Sequence, residues 1–158
     1  MAAYFSLPVI PTVLGFDARL QFIHEDDGLE ALRMVTSEDH PGAFNIAGDG
    51  VLLLSQAARR AGRPILPIAR PLVGLVGASV QRAGLADFSS EQVRYLTYGR
   101  GVDTTRMRSV LGFHPQHTTV ETFDEFVRAR DLNRALPPER VEAMENQIVS
   151  LFGGAAHA

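Results

Sequence analysis

Apolar and polar positions along the chain form short blocks that predict strands separated by helices. Apolar and polar residues alternate most clearly at 20–24, as expected of a strand with one buried face. Further strand or extended patterns follow at 43–47 and 65–68, and the proline-containing start, 3–16, is predicted to be extended. The strand pattern is thus short and discontinuous.

Helix signals fill most of the remaining chain. Asp27 with Glu30 has the spacing of a capping box, and Thr118 with Glu121 repeats that spacing near the C-terminus. Ser55 is expected to cap a short helix that stops before a glycine. Helices are predicted at about 28–35, 56–61, 71–83, 90–98, 104–111, 118–129 and 138–152.

This alternation predicts the α/β class, with one domain over 1–152 and a flexible tail at 153–158. Only three or four strands are predicted, and none is a long apolar run. A parallel sheet buried on both faces needs several such runs. The pattern therefore favours the edge of a sheet with helices attached over a complete α/β domain.

Composition excludes several kinds of chemistry. Of the 158 residues, 46% are apolar, which is enough for one core, and there is no cysteine, so no thiol nucleophile or Cys-ligated metal exists. All 15 basic residues are arginine. Schiff-base chemistry and phosphate binding by a lysine are therefore impossible in this chain.

Charge and hydropathy argue against nucleic-acid and membrane partners. The net charge is −3 and the arginines are interleaved with acids, so the basic stripe of a nucleic-acid binder is missing. The longest apolar stretch, 65–80, is interrupted by Arg70 and two prolines, and the N-terminus lacks the basic start of a signal peptide. We expect a cytoplasmic protein. His114 and His117 are three residues apart, but Pro115 between them favours a loop, so no metal site is predicted.

An ordered set of short motifs resembles the NAD(P)-dependent epimerase/dehydratase family, the extended short-chain dehydrogenases/reductases. The first is Phe-Ile-His-Glu-Asp-Asp-Gly-Leu-Glu-Ala at 22–31, and the second is Gly-Ala-Phe-Asn-Ile-Ala-Gly at 42–48. Four more follow in the family's order, at 55–57, 103–106, 111–115 and 118–121. The resemblance covers about 20–127 and corresponds only to the C-terminal half of the family.

Two parts of the family pattern are missing. The glycine-rich phosphate loop is represented only by Gly74 and Gly77, inside a predicted helix. The catalytic Tyr-x-x-x-Lys is absent, because Tyr4, Tyr95 and Tyr98 are followed four residues later by proline, glycine and valine. No catalytic residue is therefore predicted.

The resemblance implies a partial Rossmann-like sheet edge joined to the helical substrate-binding part of an oxidoreductase. The family uses NAD or NADP, but we expect none to be bound by this chain alone. The implied substrate is a small molecule such as a nucleotide sugar, and the chain is expected to be a fragment or truncated frame that is inactive alone. Expected partners are the missing N-terminal Rossmann half or a second copy. The alternative is a non-catalytic interaction module that binds a partner chain through an exposed sheet edge.

The resemblance also suggests candidate site residues, each with a structural alternative. His24 and Asp27 follow a predicted strand, where open α/β sheets bind ligands, although a packed histidine and a capping aspartate are the alternatives. Arg19 lies one position from the family's phosphate-binding arginine, where this chain has leucine. The remaining candidates are Arg100 and Asp103 for substrate, in a shorter arrangement than the family's, and Asn45 for cofactor.

Overall fold

The computed structural model describes residues 2–82, 90–132, 139–141, 143–144 and 146–147, which form a mixed α/β fold. Its strands are short: β1 Ile10–Val13, β2 Arg19–Leu20, β3 Leu52–Leu53, β4 Ile65–Ile68 and β5 Gly99–Arg100. Its α-helices are α1 Ala2–Phe5, α2 Glu25–Ser37, α3 Leu54–Arg60, α4 Val73–Arg82, α5 Ser90–Tyr98, α6 Thr105–Ser109 and α7 Thr119–Ala129. A single 3-10 turn, Arg70–Leu72, leads into α4.

The strands form two small sheets. In the first, β1 and β4 are parallel, with Ile10 opposite Ile65 and Val13 opposite Ile68. In the second, β2 lies in the centre, antiparallel to β3 and parallel to β5. A further bridge between Asp49 and Thr118 joins the loop before β3 to the start of α7. Both sheets are too small to form a hydrophobic core by themselves, so the helices provide most of the core.

The main core packs the N-terminal segment, β2, β3, α3, α5 and α7 together. Helix α7 contributes Thr119, Phe123 and Val127, whose spacing of four residues places them on one face of the helix. Phe5 contacts Phe123 edge to face, with ring centroids 5.0 Å apart. The buried members of this core are Tyr4, Phe5, Leu7, Ile10, Ala18, Leu20, Leu52, Leu54, Ala57, Ala58, Ala61, Leu96, Phe123, Val127 and Leu132.

A second, smaller core lies between α2 and α6. Its buried members are Ala31, Met107, Leu111 and Phe113, and Phe44 and Ile46 are partly buried against it. An open apolar groove of about 340 Å³ runs along this core, between α2 and the 40–46 segment. Helix α2 is consequently only half packed, with Leu29 and Leu32 exposed.

Several predicted elements are wrong in position or type. The chain from 3 to 16 is not extended throughout, because residues 2–5 form α1, whose Phe5 is fully buried. The predicted strand at 20–24 ends at Leu20, the last residue of β2, which lies opposite Arg100 at the end of β5 and opposite Leu52 at the start of β3. The predicted strand at 43–47 forms no ladder with the described residues, although the exposure of its side chains alternates. Strand hydrogen bonds need a partner, which a sequence pattern does not supply.

The N-terminus of the α2 helix also differs from its prediction. The helix begins at Glu25 rather than about residue 28, and His24 is its cap, with Nδ1 accepting from the Asp26 N–H. The Glu30 carboxylate accepts two hydrogen bonds from Arg33, so it does not form the predicted capping box with Asp27. Ser55 likewise is no cap, because it lies inside α3 and donates its hydroxyl to Asp17 at 2.6 Å.

Other predictions are confirmed. Residues 65–68 form β4, the 90–98 helix is α5, and the capping box of Thr118 and Glu121 opens α7. Gly74 and Gly77 lie inside α4, as the helical interpretation requires. The tail at 153–158 and most of the predicted 138–152 helix lie outside the described residues. Within the described ranges, no helix has the length and apolar character needed to cross a membrane.

Candidate functional site

The junction of β2 and β5 brings two predicted site residues onto neighbouring strands. Arg19 lies opposite Gly99 and Leu20 opposite Arg100 in the parallel register. Gly99 has φ +74°, and a Cβ at this position would overlap the backbone of Arg19. The turn from α5 into β5 therefore requires glycine, and this turn sets the position from which Arg100 projects.

A polar cleft of about 290 Å³ opens beside this junction. Its lining consists of Glu91, Arg94, Tyr95, Tyr98, Gly99 and Arg100. Arg94 and Arg100 are exposed, and neither forms an ion pair with any residue that the structure describes. Two guanidinium groups face one carboxylate in the cleft, so its side chains carry a net positive charge. The side chain of Arg19 is exposed but does not line the cleft, because Arg19 lies opposite Gly99 and strand alternation directs it to the face opposite that of Arg100.

The two tyrosines of the cleft are held by arginines. The Arg100 guanidinium lies over the Tyr95 ring, 5.6 Å from its centroid, and Arg70 donates to the Tyr98 hydroxyl at 3.0 Å. Burial raises the pKa of Tyr95, and the charge of Arg100 partly opposes this rise. The phenol of Tyr95 is therefore neutral at pH 7, and the hydroxyls of both tyrosines can donate hydrogen bonds to an anion.

Asn45 and Asp103, a predicted cofactor residue and a predicted substrate residue, are brought together by one hydrogen bond. The Asn45 amide Nδ2 donates to the Asp103 carbonyl oxygen at 3.0 Å. The Asp103 carboxylate accepts from the N–H and hydroxyl of Thr105, at 2.8 and 2.6 Å, and these bonds lower the pKa of Asp103. The Asn45 side chain thus joins the 40–46 segment to the loop before α6, and the Asp103 side chain holds the start of α6.

His24 and Asp27 form part of a second polar cluster, between α2 and α7. His24 Nε2 is 2.9 Å from Glu125 Oε2 on α7. Asp27 is 4% exposed and accepts from the backbone N–H groups of Gln116 and His117, each at 2.9 Å. The His117 Nδ1 is 3.0 Å from the same carboxylate. The two imidazole rings stack with their centroids 3.9 Å apart.

The carboxyl group of Asp27 is held in its charged form. Burial raises the pKa of Asp27, but the two backbone N–H bonds and the His117 ring together outweigh this effect, and the net pKa is lowered. Asp27 therefore joins α2 to the segment before α7 as a charged acceptor of three hydrogen bonds. Its role in the fold is cross-linking rather than capping.

The described residues hold no cluster of three or more metal-ligating side chains. His114 and His117 diverge: His114 Nδ1 faces Arg108, which also pairs with Asp49, whereas His117 faces Asp27. The two histidines therefore have different side-chain partners.

Sequence reasoning missed four of the residues that complete these sites. Arg94 and Tyr95 are not among the predicted ligand residues, although they lie on α5 only about two helical turns before Arg100 and line the same cleft. Glu125 and His117 lie about 90 to 100 positions from their partners on α2, as in the His24–Glu125 pair separated by 101 residues. A pairing over that distance leaves no local sequence signal.

Comparison with known proteins finds relatives but no family. The chain is 45% identical over 153 residues to the uncharacterized protein Rv0501 of Mycobacterium tuberculosis and to Mb0513 of Mycobacterium bovis. That match covers 96% of this chain but 40% of each relative, so the chain spans well under half their length. The uncharacterized protein Rv2047c of M. tuberculosis is 28% identical over 127 residues, 79% of this chain and 14% of that protein. No family model and no solved structure matches.

Proposed function

We propose that this chain is the substrate-binding, C-terminal portion of an NAD(P)-dependent epimerase/dehydratase-like oxidoreductase, and that it is inactive alone. The observation that carries the proposal is the cleft formed by Glu91, Arg94, Tyr95, Tyr98 and Arg100. On this proposal the cleft holds the phosphate groups of a nucleotide sugar. The short sheets would then be the edge of a larger Rossmann-like sheet.

The chemistry of the cleft supports an anionic ligand. Guanidinium groups bind phosphates through charge-assisted hydrogen bonds, and Arg94 and Arg100 have no carboxylate partner among the described residues. Tyr95 and Tyr98 add hydroxyl donors.

The chain's own residues do not fit the dinucleotide that the proposed family uses. Gly74 and Gly77 lie within α4 instead of in a loop before a helix, and the sequence has no lysine for the catalytic pair. The amide of Asn45 is already bonded to the backbone of Asp103. We therefore assign the cofactor to the part of the longer relatives that this chain does not span.

The 43–47 segment supports the proposal that a Rossmann-like half of the protein lies outside this chain. Phe44 and Ile46 are partly buried while Ala43 and Asn45 are exposed, which is the alternation of a strand, yet the segment pairs with no strand among the described residues. A strand supplied by the remainder of a longer protein would complete this ladder.

Calorimetric titration of the purified chain with UDP-glucose, and separately with inorganic pyrophosphate, tests the cleft. The double variant Arg94→Gln/Arg100→Gln should bind each probe at least about tenfold more weakly, because a charge-assisted hydrogen bond contributes about 1.5–3 kcal/mol. The control is Arg128→Gln on α7, whose exposed side chain forms no ion pair with the described residues and whose removal changes the net charge in the same direction.

Two results would overturn the proposal. Equal binding by the double variant and the wild type would remove the cleft as the ligand site. Oxidation or epimerisation of UDP-glucose by the isolated chain with added NAD or NADP would show that it is a complete enzyme rather than a substrate-binding portion.

The second candidate function is a non-catalytic module that binds a partner chain. It is favoured by the β1–β4 pair, whose two strands pair only with each other among the described residues, so each strand has one edge that pairs with no described strand. Light scattering over a range of chain concentrations distinguishes this candidate from the substrate-binding proposal. An exposed sheet edge would drive self-association of the chain that UDP-glucose does not reverse.

A further inference from the structure

The apolar groove beside the second core has an uncovered face of α2 as one wall. Its volume of about 340 Å³ is in the range of pockets that hold small organic molecules. Four α2 residues at positions i, i+3, i+4 and i+7 line it: Gly28, Ala31, Leu32 and Val35. At a rise of about 1.5 Å per residue, this stripe is about 10 Å long. The groove therefore has the length of a short hydrocarbon chain.

The groove offers an apolar ligand both depth and exposed side-chain surface. Phe44 and Ile46 form the opposite wall. A Cβ at Gly28 would meet only the Ile23 side chain, at 4.0 Å, so the groove is open down to the helix backbone at this position. Leu32 lines the groove but is 60% exposed. Covering this surface would remove apolar area from water, which favours an apolar occupant.

Helix α6 places a positive charge at the edge of the groove. The Arg106 guanidinium lies over the Phe44 ring, 4.9 Å from its centroid, and its Nη2 is 3.5 Å from the Pro41 carbonyl oxygen. Gly42 also lines the groove, has φ +111°, and would bring a Cβ within 3.1 Å of the same Nη2. Glycine at this position therefore leaves room for the guanidinium against the groove wall.

The charge of Arg106 is not balanced within the described part of the chain. Its side chain is exposed and forms no ion pair with the described residues. The Glu38 carboxylate, at the end of α2, is instead 2.9 Å from His40 Nε2. A guanidinium binds a carboxylate through two parallel charge-assisted hydrogen bonds. One unpaired guanidinium beside an apolar groove matches a ligand with one negative charge and an apolar body.

We propose that the apolar groove binds a medium-chain acyl carboxylate, with the hydrocarbon chain against the α2 stripe and the carboxylate on Arg106. The apolar walls select the chain, and the charge of Arg106 selects the anionic end. The groove and the polar cleft beside β5 share no lining residue, so this proposal does not depend on the nucleotide-sugar proposal.

Nuclear magnetic resonance titration of the full chain with octanoate tests the position of the site. Octanoate should shift the backbone amides of residues 28–35 and 42–46. Butanoate should bind at least about tenfold more weakly, because it buries fewer methylene groups. Shifts confined to residues 94–100 would place the carboxylate in the polar cleft and overturn the proposal. Shifts of residues 28–46 that follow chain concentration without octanoate would assign the groove to a second copy and overturn it as well.

A charge variant separates the two parts of the proposed site. Arg106→Gln should bind octanoate at least about tenfold more weakly but should bind the uncharged 1-octanol as the wild type does. Arg128→Gln on α7 is the control, because it changes the net charge equally and should leave the binding of both probes unchanged. Equal octanoate binding by Arg106→Gln and the wild type would overturn the proposal.

A second variant fills the groove. Gly28→Leu should weaken the binding of both octanoate and 1-octanol, because the new side chain occupies the open space beside Ile23. Thermal unfolding checks that this variant is folded, and the Arg106→Gln comparison stands without it. A folded Gly28→Leu chain that binds octanoate as the wild type does would contradict the assignment of the groove.

Discussion

Asp27 shows how far a single side chain can depart from its local sequence context. Its spacing to Glu30 predicts a capping box, but the carboxylate points away from its own helix end and accepts from Gln116 and His117. The local pattern identifies an acidic residue near a helix start correctly. It does not identify the donors, because they are about 90 residues away.

Asp27→Asn should lower the free energy of unfolding at pH 7 by about 2–3 kcal/mol, because the amide NH₂ would face a backbone N–H donor and leave it unsatisfied. The pKa of Asp27 is lowered in the folded chain, so its stabilising effect is complete above the unfolded pKa of about 3.9 and is lost as the pH falls through the folded value. Urea unfolding at pH 7 and at pH 3 should therefore show a smaller difference between wild type and variant at pH 3. Glu30→Gln, on the exposed face of α2, is the control and should change stability by about 0.5 kcal/mol or less.

Gly99 gives a second prediction at this scale. Gly99→Ala should destabilise the chain by at least about 1–3 kcal/mol, because φ is +74° and the new Cβ would meet the Arg19 backbone. Gly74→Ala is the matched control: Gly74 lies in α4 with open space around it, so alanine should stabilise by about 0.5–1 kcal/mol. Thermal unfolding of both variants measures the difference, and equal effects would contradict the assigned role of the β5 turn.

At the scale of elements, helices with strong local signals are predicted well. Helix α7 has its cap, its N3 glutamate and a stripe of buried residues all in one stretch of sequence, and the structure has all three. The strand predictions at 20–24 and 43–47 are poorer, because a strand forms only where it pairs with another strand. The length of the pair is then limited by the shorter of the two strands. The polar cleft beside β5 is predicted only in part, since Arg100 is among the predicted site residues and Arg94 is not.

The Thr118 cap can be measured directly. Its hydroxyl accepts from the Glu121 N–H at 3.2 Å, and its own N–H donates to Glu121 Oε2 at 2.9 Å. Thr118→Ala should therefore cost about 1 kcal/mol, and Thr118→Ser should restore most of it. Thr122→Ala is the control, because the Thr122 hydroxyl donates to the Thr118 carbonyl oxygen and caps no backbone N–H group. Equal losses for both alanine variants, in chemical denaturation, would show that the cap contributes nothing specific.

At the scale of the whole molecule, the two cores are unequal. Among the residues that the structure describes, the main core buries fifteen and includes α3 and α7, whereas the second core buries four and is open along the apolar groove. Polar bonds join the two cores. The Asp27 carboxylate on α2 accepts from Gln116 and His117 before α7, and Gln21 donates to the Gly48 carbonyl and accepts from the Val102 N–H. Such polar joins give the second core fewer buried contacts to hold it closed.

Native-state hydrogen exchange should therefore show α6 and the second half of α2 opening before α3 and α7. Leu111→Ala, in the second core, should speed exchange in α6 and α2 while the slowest amides of α7 change little, because the opening is local. Leu52→Ala removes the same side chain from the main core and should speed exchange in α7 as well, at a cost of about 2–5 kcal/mol. If Leu111→Ala instead lowers the protection of every helix equally, the two cores unfold as one unit, and the polar joins between them are as strong as the packing within each.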